Sequence, residues 1–515
     1  MKHSILIVFF LISNVIEVDT LKVLLYQTLL GRSHIQFSGA LVDSLVEKGH
    51  VVDKLIMEWN PTITQNGTNL ARKVIRIRPR NMESPWTKMF HIKNPLLPIR
   101  FRFTDEAYLE TRRVFCEELL SQNELLEELR QEKYDVGLIS LYDSCGVGLL
   151  YLIGIQSVNC FSATPMTDIL SWQLGIPMPP SYLTDTFNWD IRNKNFGFFE
   201  RLSNIWYYTE LMFDIDYINY GEQQVFEAKI PGFPNLRSLI ANLTYIFLNT
   251  NELLDMSRPV TAKVKYIGGI AMGAKKSLNE EFERFLSLSS NGTVLFSFGS
   301  LAKTSIFPLE VKLSILRAFS QFPEFTFIWK YDDIEKDKGL FKNFSNVFLA
   351  EWLPQIDLLN DNRVKAFITH MGLNSYLETS FAGVPVVAIP LFGDQMQNAE
   401  SAERLGFCVR LVKTDLRTEV LVEALEKVLF QPKYAEKATE IASLLAARTM
   451  TPQEILHSSL ELSAGFPSLS QHLQLASAEM SAWTYFCIDV WLVLASLVFL
   501  TLLLCYKVIE RYHTL

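Results

Sequence analysis

The sequence predicts an α/β fold with two parallel-sheet domains and one C-terminal transmembrane helix. Short apolar runs alternate with amphipathic stretches in the first half of the chain, and the alternation restarts at residues 293–300. Between the two series, residues 251–273 contain Pro259 and the pair Gly268-Gly269 and have the composition of a linker. Two Rossmann-like halves of this kind place a ligand site in the cleft between them, outside the carboxyl ends of the strands.

Length and composition support this division. A chain of 515 residues suggests two or three domains, and its net charge of −8 argues against a nucleic-acid partner. Two of the six cysteines, Cys487 and Cys505, fall in the terminal apolar segment, and the other four have no metal-like spacing. Those four, which could be free or paired, are Cys116, Cys145, Cys160 and Cys408.

Both ends of the chain carry targeting signals. Lys2 and His3 precede an apolar run at residues 4–12, and polar residues follow it, which is typical of a secretory signal peptide. A first core strand is the alternative, but a better strand follows directly at residues 22–27. At the other end, residues 482–506 are long and apolar enough to span a bilayer.

The charges near this segment predict its orientation. Lys507 and Arg511 follow the span, so we expect a cytosolic tail and a lumenal body. A signal peptide gives the same orientation independently. Four Asn-x-Ser/Thr sequons are compatible with a lumenal body. They begin at Asn66, Asn242, Asn291 and Asn343.

The first half alternates between strands and helices. A helix at residues 34–48 follows the first strand and ends at Gly49. Residues 101–132 are charged and amphipathic and predict a helix. The further strands of this half are predicted at residues 50–56, 74–78, 134–140, 156–161 and 245–249.

An aromatic segment at residues 196–217 interrupts this alternation. Core packing is the simplest explanation for its many Phe, Trp and Tyr residues. The alternatives are a helix that lines an apolar acceptor pocket and a helix that rests in the membrane interface.

In the second half, the stretch from residue 351 to residue 397 carries most of the chemistry. Further strands are predicted at residues 293–300, 325–330, 347–350, 364–369 and 384–389, and a helical stretch at 454–479. The turn that begins at His370 opens a helix at the carboxyl end of a strand, and free N–H groups there suit a diphosphate. The pair Asp394-Gln395 ends the next strand and can hold sugar hydroxyls. A strand–helix–strand unit with polar turns and no ligand is the alternative.

This stretch resembles the signature of UDP-glycosyltransferases, particularly the membrane-bound UDP-glucuronosyltransferases of animals. The matching residues are Trp352, Pro354, Gln355, His370, Gly372, Asn374, Ser375, Glu378, Pro390, Asp394 and Gln395. One departure is Met371, where the family usually has Gly, and we expect its side chain to narrow the approach of the backbone to phosphate. The similarity covers the mature chain and is strongest at residues 293–410.

The resemblance implies a GT-B-type glycosyltransferase in the endoplasmic reticulum membrane, single-pass and type I, with a lumenal body. The implied parts are a signal peptide at 1–19, an acceptor-binding domain at 20–265, a UDP-sugar-binding domain at 266–450, a helical segment at 451–481, a transmembrane helix at 482–506 and a cytosolic tail at 507–515.

The resemblance also implies roles for the donor-binding residues. Trp352 would stack on uracil, Gln355 would contact its edge or the ribose, and Glu378 would accept hydrogen bonds from the ribose hydroxyls. The diphosphate would be held by Ser300, His370, Gly372, Asn374 and Ser375, and the sugar hydroxyls by Asp394 and Gln395. A UDP-sugar would be a co-substrate, and neither a metal nor another cofactor is expected.

The predicted catalytic base is His34. It follows Ser33, a predicted N-cap residue, and a helix N-terminus keeps an imidazole neutral and able to accept a proton. A capping or surface role is the alternative, but the family has its catalytic Ser-His pair at this position. Such a base needs a carboxylate partner. Many relatives have Asp where this chain has Ser140, so we expect Asp143 to serve and Asp135 to lie too far away.

The predicted function is that of an inverting UDP-glycosyltransferase acting on small lipophilic alcohols, phenols or acids. The donor is open between UDP-glucuronate and UDP-glucose, and the branch resemblance favours glucuronate. The alternative is a UDP-sugar-binding membrane protein without turnover, motivated by Ser140 and Met371. Membrane attachment through one C-terminal helix is expected, and a homo- or hetero-oligomer is left open.

Overall fold

The computed structural model describes residues 20–79, 94–97, 104–183, 197–300 and 302–513. The predicted signal peptide at residues 1–19 lies outside the described residues. Within them, two separate parallel sheets carry the strands, and helices cover both. This is the two-domain α/β architecture that the sequence predicts.

The first sheet has seven strands, all parallel, in the order β3-β2-β1-β4-β5-β6-β7. Its central strands are almost fully buried, because helices lie on both faces. The strands are β1 (Lys22–Thr28), β2 (Val51–Met57), β3 (Lys73–Ile77), β4 (Val136–Ser140), β5 (Ser157–Ser162), β6 (Ile246–Leu248) and β7 (Val264–Tyr266).

The helices of this half differ from the prediction in two places. The stretch predicted as one helix at 101–132 is two helices that meet at Gln122, whose ψ of 73° is not helical. The aromatic segment does not pack into the core, since most of its large side chains face solvent. The helices are α1 (Arg32–Glu47), α2 (Glu106–Ser121), α3 (Asn123–Gln131), α4 (Cys145–Leu152), α5 (Asp168–Gln173), α6 (Phe198–Lys229) and α7 (Leu236–Ala241).

The second sheet has six parallel strands in the order β10-β9-β8-β11-β12-β13. They are β8 (Thr293–Ser297), β9 (Thr326–Lys330), β10 (Val347–Ala350), β11 (Val364–Thr369), β12 (Val386–Ala388) and β13 (Cys408–Arg410). The sequence analysis predicts all of them except the last, which has only three residues.

Among the described residues, eight α-helices accompany the second sheet. They are α8 (Glu280–Ser287), α9 (Leu309–Phe319), α10 (Ile334–Phe341), α11 (Gln355–Leu359), α12 (Leu373–Ala382), α13 (Gln395–Leu405), α14 (Thr418–Phe430) and α15 (Pro432–Ala446). A short 3₁₀ helix at Thr304–Ile306 precedes α9.

After the second sheet, the chain returns to the first. Helix α16 (Pro452–Gly465) starts with a capping box between Thr451 and Glu454 and packs its Leu456 and Leu460 into the core beside β1 and β4. Its Ser463 also lies 3.0 Å from the Ser157 hydroxyl of β5. The remaining elements are α17 (Leu469–Leu473), a 3₁₀ helix at Ala476–Ala478, α18 (Ala482–Tyr485) and α19 (Ile488–His513).

The C-terminal apolar segment forms a helix, and two of the cysteines form a disulfide. Helix α19 has 26 residues, is long and apolar enough to cross a membrane, and has no buried residue. Cys116 and Cys145 form a disulfide that joins α2 to α4, while Cys160 and Cys408 are buried and free.

Candidate active site

A cavity of about 980 Å³ lies between the two halves, at the carboxyl ends of both sheets. His34 enters it from the first half, and every predicted donor-binding residue enters it from the second. The donor-side residues that line it are Ser300, Trp352, Gln355, His370, Gly372, Asn374, Ser375, Glu378, Asp394 and Gln395. Parallel strands bring these residues together because their carboxyl ends share one edge of the sheet.

His370 sits between the backbones of two glycines. A Cβ on Gly299 would lie 2.7 Å from His370 Nε2, and one on Gly372 would lie 2.6 Å from the same atom. Only glycine therefore leaves room for the ring at both positions. Burial, with a smaller contribution from Lys330, lowers the pKa of His370 to about 4. The ring is neutral at physiological pH and carries a single N–H. A backbone hydrogen bond with Ser297 opposes the lowering of this pKa.

The N-terminus of α12 follows directly. Gly372 is its N-cap residue and offers no side-chain cap, so the first N–H groups of the helix remain available to a ligand. Asn374 Oδ1, in the first turn, accepts a hydrogen bond of 3.3 Å from Asn249 of the first half. The proposed diphosphate position thus lies where the two halves touch.

The side chains that would hold the nucleoside form a connected group. Gln355 Nε2 donates to Ser375 Oγ at 3.0 Å and to Glu378 Oε2 at 2.5 Å. Burial raises the pKa of Glu378 to about 7. Trp352 is 59% exposed at the cavity mouth, which leaves its ring available for stacking.

The residues at the sugar end have different partners. Asp394 Oδ2 accepts from Asn398 Nδ2 at 2.9 Å, and burial raises the pKa of Asp394 to about 6. Gln395 Oε1 accepts the backbone N–H groups of Leu391 and Phe392 at 2.8 and 3.1 Å. Gln395 therefore also fixes the loop that carries Asp394.

Sequence reasoning did not identify Lys330 as a cation of this cavity. Lys330 ends β9, and its Nζ donates to the carbonyl of Gly299 at 2.8 Å and lies 5.8 Å from the ring centroid of Trp352. Burial lowers its pKa, and the charge of Arg32, which lines the same cavity, contributes. Its place at the carboxyl end of a central strand could have indicated a site residue.

His34 lies in the first turn of α1, but the local prediction needs correction. The N-cap residue is Gly31 rather than Ser33. Within the part of the chain that the structure describes, His34 Nδ1 is buried and has no hydrogen-bond partner. The ring packs against that of Tyr142, with centroids 5.1 Å apart, and burial lowers the pKa of His34 to about 4.

The predicted pairing of Asp143 with His34 is wrong. Asp143 accepts hydrogen bonds from the Tyr26 hydroxyl at 2.9 Å and the Thr28 hydroxyl at 2.5 Å, and does not line the cavity. Burial raises its pKa to about 6, and the charge of Glu222 adds to this effect.

The other candidates are also engaged elsewhere. Ser140 Oγ accepts the N–H of Thr28 at 2.9 Å. Asp135 lies at the opposite end of β4, as expected, and accepts the N–H of Lys22 at 2.7 Å. Among the described residues, the His34 ring is thus held by packing rather than by a carboxylate.

Met371 does not narrow the cavity. Its side chain is fully buried in the core below α12, beside Leu373 and Tyr376, so that expectation is wrong. Its backbone has a φ of 61°, a left-handed conformation that favours glycine. The departure from the family pattern therefore affects backbone strain and core packing, and leaves the ligand side unchanged.

Replacing Met371 by glycine should lower the free energy of unfolding by up to about 4 kcal/mol. Loss of a buried Met side chain costs about 2–5 kcal/mol, whereas relief of the left-handed conformation returns about 1–2 kcal/mol. Thermal unfolding with and without UDP measures both stability and ligand binding, and we expect unchanged UDP affinity. A variant more stable than the parent would show that strain outweighs packing here.

Two parallel α/β domains that face one cavity have the architecture of the GT-B fold, and a neutral histidine enters that cavity. The chain belongs to the UDP-glycosyltransferase family, whose model, described as "UDP-glucoronosyl and UDP-glucosyl transferase", matches residues 23–514.

Individual relatives agree with this assignment. The putative UDP-glucuronosyltransferase ugt-50 of Caenorhabditis elegans is 25% identical over 96% of this chain and 95% of its own length. UDP-glucuronosyltransferase 1A9 of Mus musculus is 28% identical over 91% of this chain and 88% of its own. A solved UDP-glucosyltransferase from Polygonum tinctorium has a TM-score of 0.60 at 13% identity, over 86% of this chain and 98% of its own. The likeness confirms the predicted GT-B fold class.

Proposed function

We propose that this protein is an inverting glucuronosyltransferase that transfers glucuronate from UDP-glucuronate to small lipophilic alcohols, phenols or acids. The observation that carries the proposal is the single cavity, which His34 enters from one half and all ten donor-side residues enter from the other. A base and a donor site that face each other are what direct displacement at a sugar carbon requires.

The chemistry is one displacement. His34 accepts the proton of the acceptor hydroxyl, and the acceptor oxygen attacks the anomeric carbon from the face opposite the diphosphate. The bond from that carbon to the diphosphate oxygen breaks, UDP leaves, and the α-linked donor becomes a β-linked product. The N–H groups at the start of α12, the neutral His370 ring and Lys330 would stabilise the charge that develops on UDP.

Two findings support glucuronate as the transferred sugar. The curated relatives described above are named UDP-glucuronosyltransferases, although their identity of 25–28% leaves the donor open. In addition, Arg32 and Lys330 both line the cavity, and cations there would balance a sugar carboxylate. UDP-glucose, with the same mechanism, is the second candidate donor, since the solved neighbour is a UDP-glucosyltransferase.

A third candidate comes from another functional class. His34 Nδ1 has no hydrogen-bond partner in the described part of the chain, whereas an efficient base of this kind is supported by a carboxylate. The missing support favours a protein that binds a UDP-sugar with little turnover. Such a protein could act as a partner of active relatives.

Incubating the purified full-length protein with each UDP-sugar and a phenol panel should release UDP fastest with UDP-glucuronate. A Lys330→Met variant should lose more activity with UDP-glucuronate than with UDP-glucose, if Lys330 contacts the carboxylate. Faster release with UDP-glucose would reassign the donor. Tight UDP binding without release for any donor would favour the non-catalytic alternative.

We further propose that the protein lies in the endoplasmic reticulum membrane as a single-pass type I protein with a lumenal body. Asn242, Asn291 and Asn343 are exposed, whereas Asn66 is half-buried. Expressed in animal cells, the chain should carry endoglycosidase H-sensitive glycans on the three exposed sites, each lost on replacement by glutamine. A protein without any glycan would contradict the lumenal orientation.

A further inference from the structure

Helix α6 exposes an apolar stripe along most of its length. The stripe residues are three, four or seven positions apart, so they lie on one face of the helix. Phe199 is 77% exposed, Phe213 73% and Trp206 69%. The members of this α6 stripe are Phe199, Leu202, Trp206, Phe213, Tyr217 and Tyr220.

The opposite face of α6 is well packed. Tyr208, Leu211 and Ile218 form a buried cluster with Ile169 of α5. Asn204 Nδ2 donates to the carbonyl of Leu183 at 2.6 Å. The helix is therefore firmly docked, and the stripe is a second face that the described residues leave uncovered. An exposed apolar face of this length on a folded domain, interrupted only by Glu210 among its described residues, marks an interaction surface.

The position of α19 shows where a bilayer would lie. The segment just before it packs on the first half: Ser477 Oγ donates to the carbonyl of Gly175 at 2.6 Å. Trp172 of α5 and Tyr485 of α18 meet edge to face, with ring centroids 5.7 Å apart. Because α19 begins at Ile488, three residues later, a bilayer that it crosses must start beside α5.

Helix α5 connects this point to α6. Asp168, at its first position, accepts a hydrogen bond of 2.8 Å from the Tyr207 hydroxyl of α6. Six helical residues span only ~9 Å. Tyr207 is adjacent to Trp206, so the middle of the α6 stripe lies within about one short helix of the place where the chain would enter the membrane.

We propose that the α6 stripe is a second membrane contact, which lies in the headgroup region of the bilayer that α19 crosses. Trp and Tyr, which make up half of the stripe, are the residues that membrane interfaces favour. Trp206 Nε1 already donates to Glu210 Oε1 at 2.8 Å, so its polar atom can accompany the ring into that region. The contact would be driven by apolar burial rather than by basic charge.

This contact would orient the cavity toward the bilayer. Thr167 lines the cavity and caps α5 through a hydrogen bond of 3.3 Å with the N–H of Leu170. The same short helix carries Trp172, which contacts the segment before the membrane helix. One wall of the acceptor side is therefore continuous with the membrane-facing surface, where lipophilic acceptors are concentrated.

Site-directed spin labelling of the full chain tests the proposal. In a Cys487→Ser/Cys505→Ser background, a nitroxide is attached to Phe213→Cys and, separately, to Tyr217→Cys, one turn further along the stripe. Leu309→Cys, an exposed position on α9 of the second half, is the matched control. Each protein is reconstituted into phosphatidylcholine/phosphatidylserine vesicles and checked for UDP binding, which reports a folded donor side.

We expect the stripe labels to be accessible to oxygen, which concentrates in lipid, and shielded from a water-soluble nickel chelate. The control label should show the reverse. Nickel accessibility at both stripe positions equal to that of the control would overturn the proposal. Dipolar broadening between the labels of two protein copies, together with low oxygen accessibility, would overturn it as well. In that case a second copy of the chain, rather than lipid, would cover the stripe.

Discussion

Replacing His34 by glutamine should lower kcat by about 10²–10⁴-fold while leaving the affinity for UDP unchanged. Glutamine can still form hydrogen bonds but cannot accept a proton at neutral pH. The donor-side residues all belong to the second half of the chain, so the substitution leaves them intact. Turnover of a phenol at saturating donor, together with calorimetric titration of UDP, measures both quantities. Loss of UDP binding, or turnover near that of the parent, would contradict the assignment.

Asp143→Asn is the matched comparison. In a carboxylate–imidazole pair, the same change lowers kcat by about 10⁴-fold. Here the side chain meets the hydroxyls of Tyr26 and Thr28, which can donate to the amide oxygen or accept from its nitrogen. We therefore expect a loss in kcat far smaller than that of His34→Gln. Equal, large losses would show that Asp143 reaches His34 once substrates are bound.

The pH profile provides an independent check. Burial lowers the pKa of His34 to about 4, so the ring is neutral above that value and protonated below it. With saturating donor and an aliphatic alcohol, kcat should stay level down to about pH 5 and fall as the pH drops further. A carboxylate partner would raise this pKa and move the fall toward neutral pH. A base this weak should also favour phenols and carboxylic acids over aliphatic alcohols.

The parts that the sequence predicted well depend on local patterns. Buried parallel strands are continuous apolar runs, so most strands of both sheets were predicted. The exceptions are the three-residue strands β7, which lies in the stretch predicted as a linker, and β13. His370 follows β11 directly, and Asp394 lies in the loop after β12. The rule that ligands bind at the carboxyl ends of parallel strands brings them together.

The parts that it missed depend on distant partners. Asp143 follows the carboxyl end of the strand next to β1, which suggested a position near His34. Its carboxylate instead accepts hydrogen bonds from the hydroxyls of Tyr26 and Thr28, which lie 117 and 115 positions earlier in the chain. The aromatic density of α6 indicates an apolar helix without showing which face is covered. Lys330 was overlooked because a lysine at the end of a strand is ordinary until a cavity is seen beside it.

The largest stability effect is expected at a buried ion pair between α2 and α6. Arg112 Nη2 lies 2.5 Å from Glu222 Oε2, and the two side chains are 4% and 1% exposed. Arg112 also donates to Asn219 Oδ1 at 2.9 Å, and Glu222 accepts the N–H of Ser144 at 3.2 Å. This group holds α6 against the loop that carries Tyr142 beside His34.

Arg112→Met should lower the free energy of unfolding by about 3–5 kcal/mol, because it leaves the Glu222 carboxylate buried without a countercharge. A loss of this size shifts the thermal midpoint by on the order of 10 °C. The adjacent Arg113→Met is the matched control, since Arg113 pairs with Glu110 and Glu117 at the surface. Surface pairs contribute less than about 1 kcal/mol, so its midpoint should hardly move.

The double variant Arg112→Met/Glu222→Leu separates charge from packing. If the uncompensated carboxylate causes the loss, removing it should restore most of the stability, since apolar replacements of buried pairs are often neutral. The effect of the double variant on the pKa of Asp143 should be a small decrease, because Glu222 raises that pKa more than Arg112 lowers it and both charges are removed. A double variant as unstable as Arg112→Met would show that the hydrogen bonds to Asn219 and Ser144, rather than the charge balance, hold α6 in place.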